Sequence, residues 1–200
     1  MKKQILTVSA ACLLAACSGF KPDYTVTDAS ESSKPFWTTQ SKTAKIDSSS
    51  ERKENRYYVA SAVAPEERVC LRSAESNATR KIAAEVAQEI AAQFEESRKA
   101  TGETADVKMK DKLQQIVDTN LHGVVVAETY WEKRAYQKQL GAAKDYVGYK
   151  CDVAVKIKKA ALAEALEMYK AKTIKGLSEK DKKDVNAAVD NYVAALKSED

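Results

Sequence analysis

Tyr146-Val147-Gly148-Tyr149-Lys150-Cys151-Asp152-Val153-Ala154-Val155-Lys156-Ile157 is the stretch whose pattern decides the fold. Val147, Tyr149, Cys151, Val153, Val155 and Ile157 fall on one side of an extended chain. Tyr146, Gly148, Lys150, Asp152, Ala154 and Lys156 fall on the other. Successive side chains of a strand point to opposite faces, so the alternation predicts a long strand over 145–157 with one face on a core and one in water. Just upstream, Val124-Val125-Val126-Ala127-Glu128-Thr129-Tyr130-Trp131 is β-branched and aromatic and predicts a second strand. A polar connection containing Gly141 joins the two, which favours an antiparallel pair.

The partner of that apolar face lies earlier in the chain. Residues 56–63 predict another strand, stopped by Ala64-Pro65. After a short connection through Cys70-Leu71, Ser73 can cap a long helix running to about Ser97. Ala78, Ile82, Val86, Ile90 and Phe94 recur at steps of four, flanked by Ala83, Ala87 and Ala91. That broad stripe, rich in small residues, suits the central packing helix of a domain. Leu113, Ile116, Val117 and Leu121 predict a shorter helix ending at His122-Gly123. The lone His122 reads as a helix-end or surface residue, since nothing nearby in sequence completes a dyad with it.

Two more helices are expected in the tail. One spans 160–172, with Leu162, Leu166 and Tyr169; the other opens at Ser178 and carries Val185, Ala188, Val189, Tyr192, Val193 and Leu196 on one side. Such a stripe normally packs on its own domain. Left over, it would be a surface for self-association.

The amino terminus carries a different kind of signal. Lys2 and Lys3 precede an apolar run from Ile5 to Leu14, and Ala15-Ala16 prepare a cleavage point before Cys17. The run is about half of the ~20 residues that a helix needs to cross a bilayer, so it reads as a signal and not a span. Leu14-Ala15-Ala16-Cys17 resembles the bacterial lipobox, which implies a diacylglyceryl group on the Cys17 sulfur and further acylation of the new amine. Two or three chains, at about 0.8 kcal/mol per buried CH₂, make such an anchor effectively permanent. Ser18 stands where Asp commonly favours inner-membrane retention in Gram-negative lipoproteins, so the resemblance implies the outer membrane, with the domain in the periplasm or exposed on the surface. Plain signal-peptidase cleavage, with Cys17 left as a thiol, is the alternative reading.

Loss of the leader takes the formal net charge from +4 to +2, too small a surplus to argue for nucleic acid. Of four cysteines, Cys12 leaves with the leader and Cys17 is the acyl acceptor, leaving Cys70 and Cys151. In an export compartment these two can pair; as isolated residues they can equally be small buried thiols. They are too few for a tetrahedral metal site, and no cofactor motif stands beside them.

From Ser18 to Glu54 the text is polar with little periodicity, as in a flexible tether, interrupted by Pro35-Phe36-Trp37. Two adjacent aromatics in such a segment dock onto something: the chain's own domain in the plainer reading, a partner or the membrane in the sharper one. Phe36, Trp37, Tyr130, Trp131 and Tyr149 are therefore the candidate interaction surface, although strand aromatics are more often cross-strand pairs. The chain divides into a signal peptide (1–16), a lipidated Cys with a flexible polar tether (17–54), an α+β domain (55–158) and a helical extension (159–200).

Pro35 and Trp37, the helix from Ala78 to Phe94 and the strand from Tyr146 to Ile157, in this order behind a lipobox, resemble the bacterial twenty-kilodalton outer-membrane lipoprotein family, whose relatives include flagellar assembly lipoproteins. Phe36 against Trp37 and the helical tail depart from that pattern. The resemblance implies a small antiparallel sheet packed on the long Ala-rich helix and a role in envelope architecture, in a homo-oligomer or beside other envelope-machine proteins. No Gly-rich phosphate loop, Gly-x-Ser-x-Gly elbow or His-Glu-x-x-His occurs, and neighbouring carboxylates such as Glu95-Glu96 fall on different helix faces. The expected protein is no enzyme but a structural or assembly lipoprotein; the second expectation is a module binding a periplasmic ligand or the cell wall on the aromatic hairpin.

Overall fold

The computed structural model describes residues 21–39, 49–99, 121–173 and 179–198. Its elements are β1 (Tyr24–Ala29), α1 (Ser49–Glu54), β2 (Asn55–Ala64), α2 (Glu67–Lys99), β3 (Val125–Tyr136), β4 (Tyr146–Lys158), α3 (Lys159–Thr173) and α4 (Glu179–Ser198). The fold is α+β: a four-stranded antiparallel sheet in the order β1-β3-β4-β2, with α2, α3 and α4 on one face. The helix expected around Leu113 to Leu121 falls almost wholly outside the described residues.

β4 is central and its apolar face is the floor of the core. Cys151, Val153, Val155 and Ile157 are fully or almost fully buried, beside Tyr58 of β2. α2 lies across them with Ala74, Ala78, Ile82, Ala83, Val86, Ala87 and Ile90 all buried. The alanines allow helix and sheet to approach closely, and the larger Ile82, Val86 and Ile90 fill what remains. At about 1.5 Å per residue, the 33 residues of α2 make a rod of about 50 Å.

α2 begins earlier than its expected cap at Ser73. Pro65 lacks the N–H to continue β2, only Pro65-Glu66 intervene, and the Cys70 amide already donates to the Glu66 carbonyl at 2.9 Å. Cys70 and Leu71 are thus helical, not a connection, and Glu67 puts a carboxylate in the first turn, where the helix dipole favours it. This advance carries Cys70 over β4, where it forms a disulfide with Cys151.

The tail is part of the same core and not an appendage. Leu162 and Leu166 of α3 and Val185, Ala188, Val189, Tyr192, Val193 and Leu196 of α4 join the cluster that holds the α2 stripe. The apolar side of α4 is therefore occupied by its own domain and is not left over for self-association. Arg56 of β2 ties the layers together: its guanidinium donates to the Tyr192 hydroxyl at 2.7 Å and lies 3.6 Å from the Glu89 carboxylate.

The expected tether is partly a strand. Tyr24-Thr25-Val26-Thr27 opens β1, which pairs with β3 from Tyr24 opposite Tyr136 to Ala29 opposite Glu132, with an irregularity between Val26 and Asp28. At the other edge, β2 exposes outward carbonyls that two side chains of α2 take up. Asn77 Nδ2 donates to the Ser61 carbonyl at 3.0 Å, and Lys81 Nζ donates to the Val59 carbonyl at 3.0 Å.

Candidate functional site

The face of the sheet opposite the helices was expected in water, yet it carries the most concentrated polar chemistry among the described residues. Tyr130, Glu132 and Arg134 of β3 point to this face, with Lys150 and Asp152 of β4 opposite: Tyr130 pairs with Asp152 and Glu132 with Lys150. Asp152 is 3% exposed and Glu132 7%. Strand alternation placed them here, and the amino-terminal segment covers them.

The cover works as a strap. Ser30 extends the pairing beyond β1, its amide donating to the Trp131 carbonyl at 3.0 Å while its hydroxyl accepts from the Trp131 amide at 3.1 Å. The chain then crosses the sheet. Lys34 reaches to 4.0 Å from Asp152 Oδ2, and Trp37, in a 3-10 turn over Phe36–Thr39, packs on Tyr57, Val59 and Ala154. Thr38 locks that turn by donating its hydroxyl to the Pro35 carbonyl at 2.8 Å. On the same face α1 contributes Glu51, 3.6 Å from Lys156.

Beneath the strap each charge meets its opposite. Arg134 donates from Nε at 2.8 Å and from an Nη at 2.6 Å to Glu132 Oε2, and the Tyr130 hydroxyl donates to Oε1 at 3.2 Å. Lys150 donates to Asp152 Oδ1 at 2.5 Å. Burial alone would raise the Glu132 pKa; the hydrogen bonds and charge of Arg134, with Lys34, outweigh it and hold this carboxyl below its usual value. The same burial, helped by the Glu132 charge, pushes the Tyr130 phenol up to about 12. Burial also lowers Lys150, against the pull of Asp152. The Arg134 guanidinium stacks 3.9 Å from the Tyr24 ring centroid, continuing into a row in which Tyr136 and Tyr146 stack at 4.3 Å.

This arrangement fixes protons and positions side chains. Glu132 is committed to Arg134 and held ionised, Tyr130 is held as the phenol, and both lie under the chain. Their chemistry is that of a buried polar network within β3, beside which the strap adds Lys34 at 4.0 Å from Asp152.

The five aromatics singled out from the sequence do not form one surface. Trp37 and Tyr130 sit under or within the strap on the outer face, and Phe36 turns out to solvent, 74% exposed. Trp131 and Tyr149 lie on the helix-side face, edge to face at 5.6 Å beside the disulfide. Consecutive strand residues such as Tyr130 and Trp131 must face opposite ways, so no common platform is assembled. His122 is exposed. Sequence reasoning missed Glu132, Arg134, Asp152 and Lys34 as a set; the available signal was the pairing of opposite charges at alternate positions of two neighbouring strands.

Cys17 lies outside the described residues. Among the described residues no helix is long and apolar enough to cross a membrane, and no group of three or more His, Cys, Asp or Glu could hold a metal ion. No family model, no curated protein and no solved structure matches this chain.

Proposed function

We propose that this chain is a bacterial lipoprotein, anchored in the outer membrane through acyl chains on Cys17, whose domain serves a structural or assembly role in the envelope. The observation that carries the reading is the leader itself: two lysines, an apolar run too short to span, and Leu14-Ala15-Ala16 set directly before Cys17. Two features support it. The Cys70–Cys151 disulfide suits an oxidising compartment beyond the cytoplasm. The charged residues of the outer face are spent on one another, Arg134 on Glu132 and Lys150 on Asp152, with Lys34 of the strap beside Asp152, which leaves no free acid or base there, among the described residues, for turnover. Within the envelope, the likeness in order of parts to the twenty-kilodalton lipoproteins favours an assembly role, with flagellar assembly as one setting.

The test is replacement of Cys17 by Ser in the full chain. The product should keep its leader, incorporate no labelled palmitate and lose stable attachment to the outer-membrane fraction. Normal processing and unchanged sedimentation with membranes would sink the proposal, as would a native protein whose mass shows no fatty acid.

A further inference from the structure

The anchored end of the sheet carries a surface of its own. Only six residues separate Cys17 from Tyr24, the first residue of β1, so the acylated sulfur and the sheet are joined by at most about 25 Å of extended chain. Tyr24 pairs with Tyr136 and Tyr136 with Tyr146, so one end of the sheet gathers the entry of β1 and the connection between β3 and β4. Gln137 fastens the two, its amide donating to the Asp23 carbonyl at 3.0 Å and its side chain to Thr25 Oγ1 at 3.2 Å. The opposite end, at Val125 and Lys158, is about 40 Å away along the twelve residues of β3.

At the near end the β3–β4 connection is held as a firm projection. A 3-10 turn over Lys138–Leu140 closes on Gly141, whose φ of 109° lies in the left-handed region, and the Asp145 carboxylate accepts from the Lys138 amide at 2.7 Å. This projection and the first residues of β4 expose apolar surface: Leu140 is 41% exposed, Tyr146 42% and Val147 51%. Around them stand the exposed Lys21, Lys138 and Lys144 against Asp145 and the half-buried Asp23, leaving a small cationic surplus. Apolar and amphipathic tips rimmed by lysine match the headgroup region of an anionic bilayer, where each lysine adds attraction.

We propose that the β3–β4 connection, through Leu140, Tyr146, Val147, Lys138 and Lys144, rests on the phospholipid surface that holds the acyl chains, so that the sheet stands end-on to the membrane. This rests on acylation of Cys17. The short link keeps the projection at high local concentration over the lipid, so weak contacts suffice.

The experiment is amide hydrogen exchange on the full acylated protein in vesicles containing phosphatidylglycerol, with the mass of the lipid-bearing amino-terminal peptide recorded on the same sample. Peptides covering 137–147 should exchange more slowly, by about threefold or more, than in a variant with a Gly-Ser insertion of about twenty residues after Ser18. Peptides around Val125 should not change. Joint replacement of Lys138 and Lys144 by Glu should remove the protection while leaving the core amides slow. Equal exchange with short and long links, or equal protection at Val125 from a sheet lying flat, would overturn the proposal with the anchor intact. Protection that follows protein density and not lipid charge would also overturn it, in favour of a second copy. An amino-terminal peptide without acyl mass would overturn the anchor and this inference together.

Discussion

Cys70, in the first turn of α2, and Cys151, in the middle of β4, are joined by a disulfide that spans 81 positions of the chain. It ties the long helix to the central strand beside Trp131 and Tyr149. A cross-link closing a loop of this length restricts the unfolded chain by about 4–5 kcal/mol in the chain-entropy model. Joint replacement of Cys70 and Cys151 by Ala should therefore lower stability by about 3–4 kcal/mol, read as the guanidinium midpoint with and without reductant. An unchanged midpoint in the double variant would remove the disulfide from the account of stability.

Glu132 and Arg134 give a prediction with a definite sign. The Glu132 carboxyl is held below its ordinary value in the folded chain, because the pull of Arg134 and Lys34 exceeds the upward push of burial. The unfolded chain then binds more protons as acidity rises, so this contribution is complete above the unfolded value of about 4.3 and is lost as pH falls through the folded one. Glu132→Gln should cost about 3 kcal/mol at neutral pH, since Arg134 keeps its charge without a counterion, and should flatten part of the acid limb of stability. Urea titrations between about pH 3 and 8 measure both; the same acid slope in wild type and variant would refute the assignment.

Trp37→Ala tests the strap. The indole covers Tyr57, Val59 and Ala154, and its removal should cost about 2 kcal/mol, below the usual figure for a fully buried tryptophan because Trp37 is only half-buried. The diagnostic readout is amide exchange in β4 around Asp152 and Ala154, which should speed up more than that of β2 residues facing α2. Loss of stability with no local change there would mean that the strap does not depend on this side chain.

Leu196→Ala tests whether the tail belongs to the core. Leu196 is almost fully buried in the cluster that holds the α2 stripe, so the change should cost about 2–4 kcal/mol and lower the melting temperature by about 5–15 °C. A single cooperative transition should remain. Two separate transitions, with only the later part of the chain affected, would show a detachable extension.

Much of the helix-side core could be read beforehand because its periodicities are long. The α4 stripe from Val185 to Leu196 and the β4 alternation from Cys151 to Ile157 are the same residues that the structure buries. The start of α2 is not legible because Ser73 looks like a cap, while the true start depends on Pro65 ending β2 and on where Cys70 must sit to meet Cys151. β1 is hard to see in the sequence because Tyr24-Thr25-Val26-Thr27 is short and set in polar text, and its existence depends on an open edge of β3, which no local pattern reveals. The charged layer was hidden for the same reason: Lys150 and Asp152 read as solvated until the chain around Lys34 and Trp37 crosses over them. Trp37 could be marked as a docking residue in advance, but its target could not.

Asn77 and Lys81 reach over from α2 to bond the outward carbonyls of Ser61 and Val59. A sheet margin with open acceptors is a template on which another strand can be laid. With the Ser61 and Val59 acceptors occupied, a further strand gains less by lining up along β2. The long helix thus does a second service: beyond roofing the core, it closes part of the open margin of the sheet to a further strand.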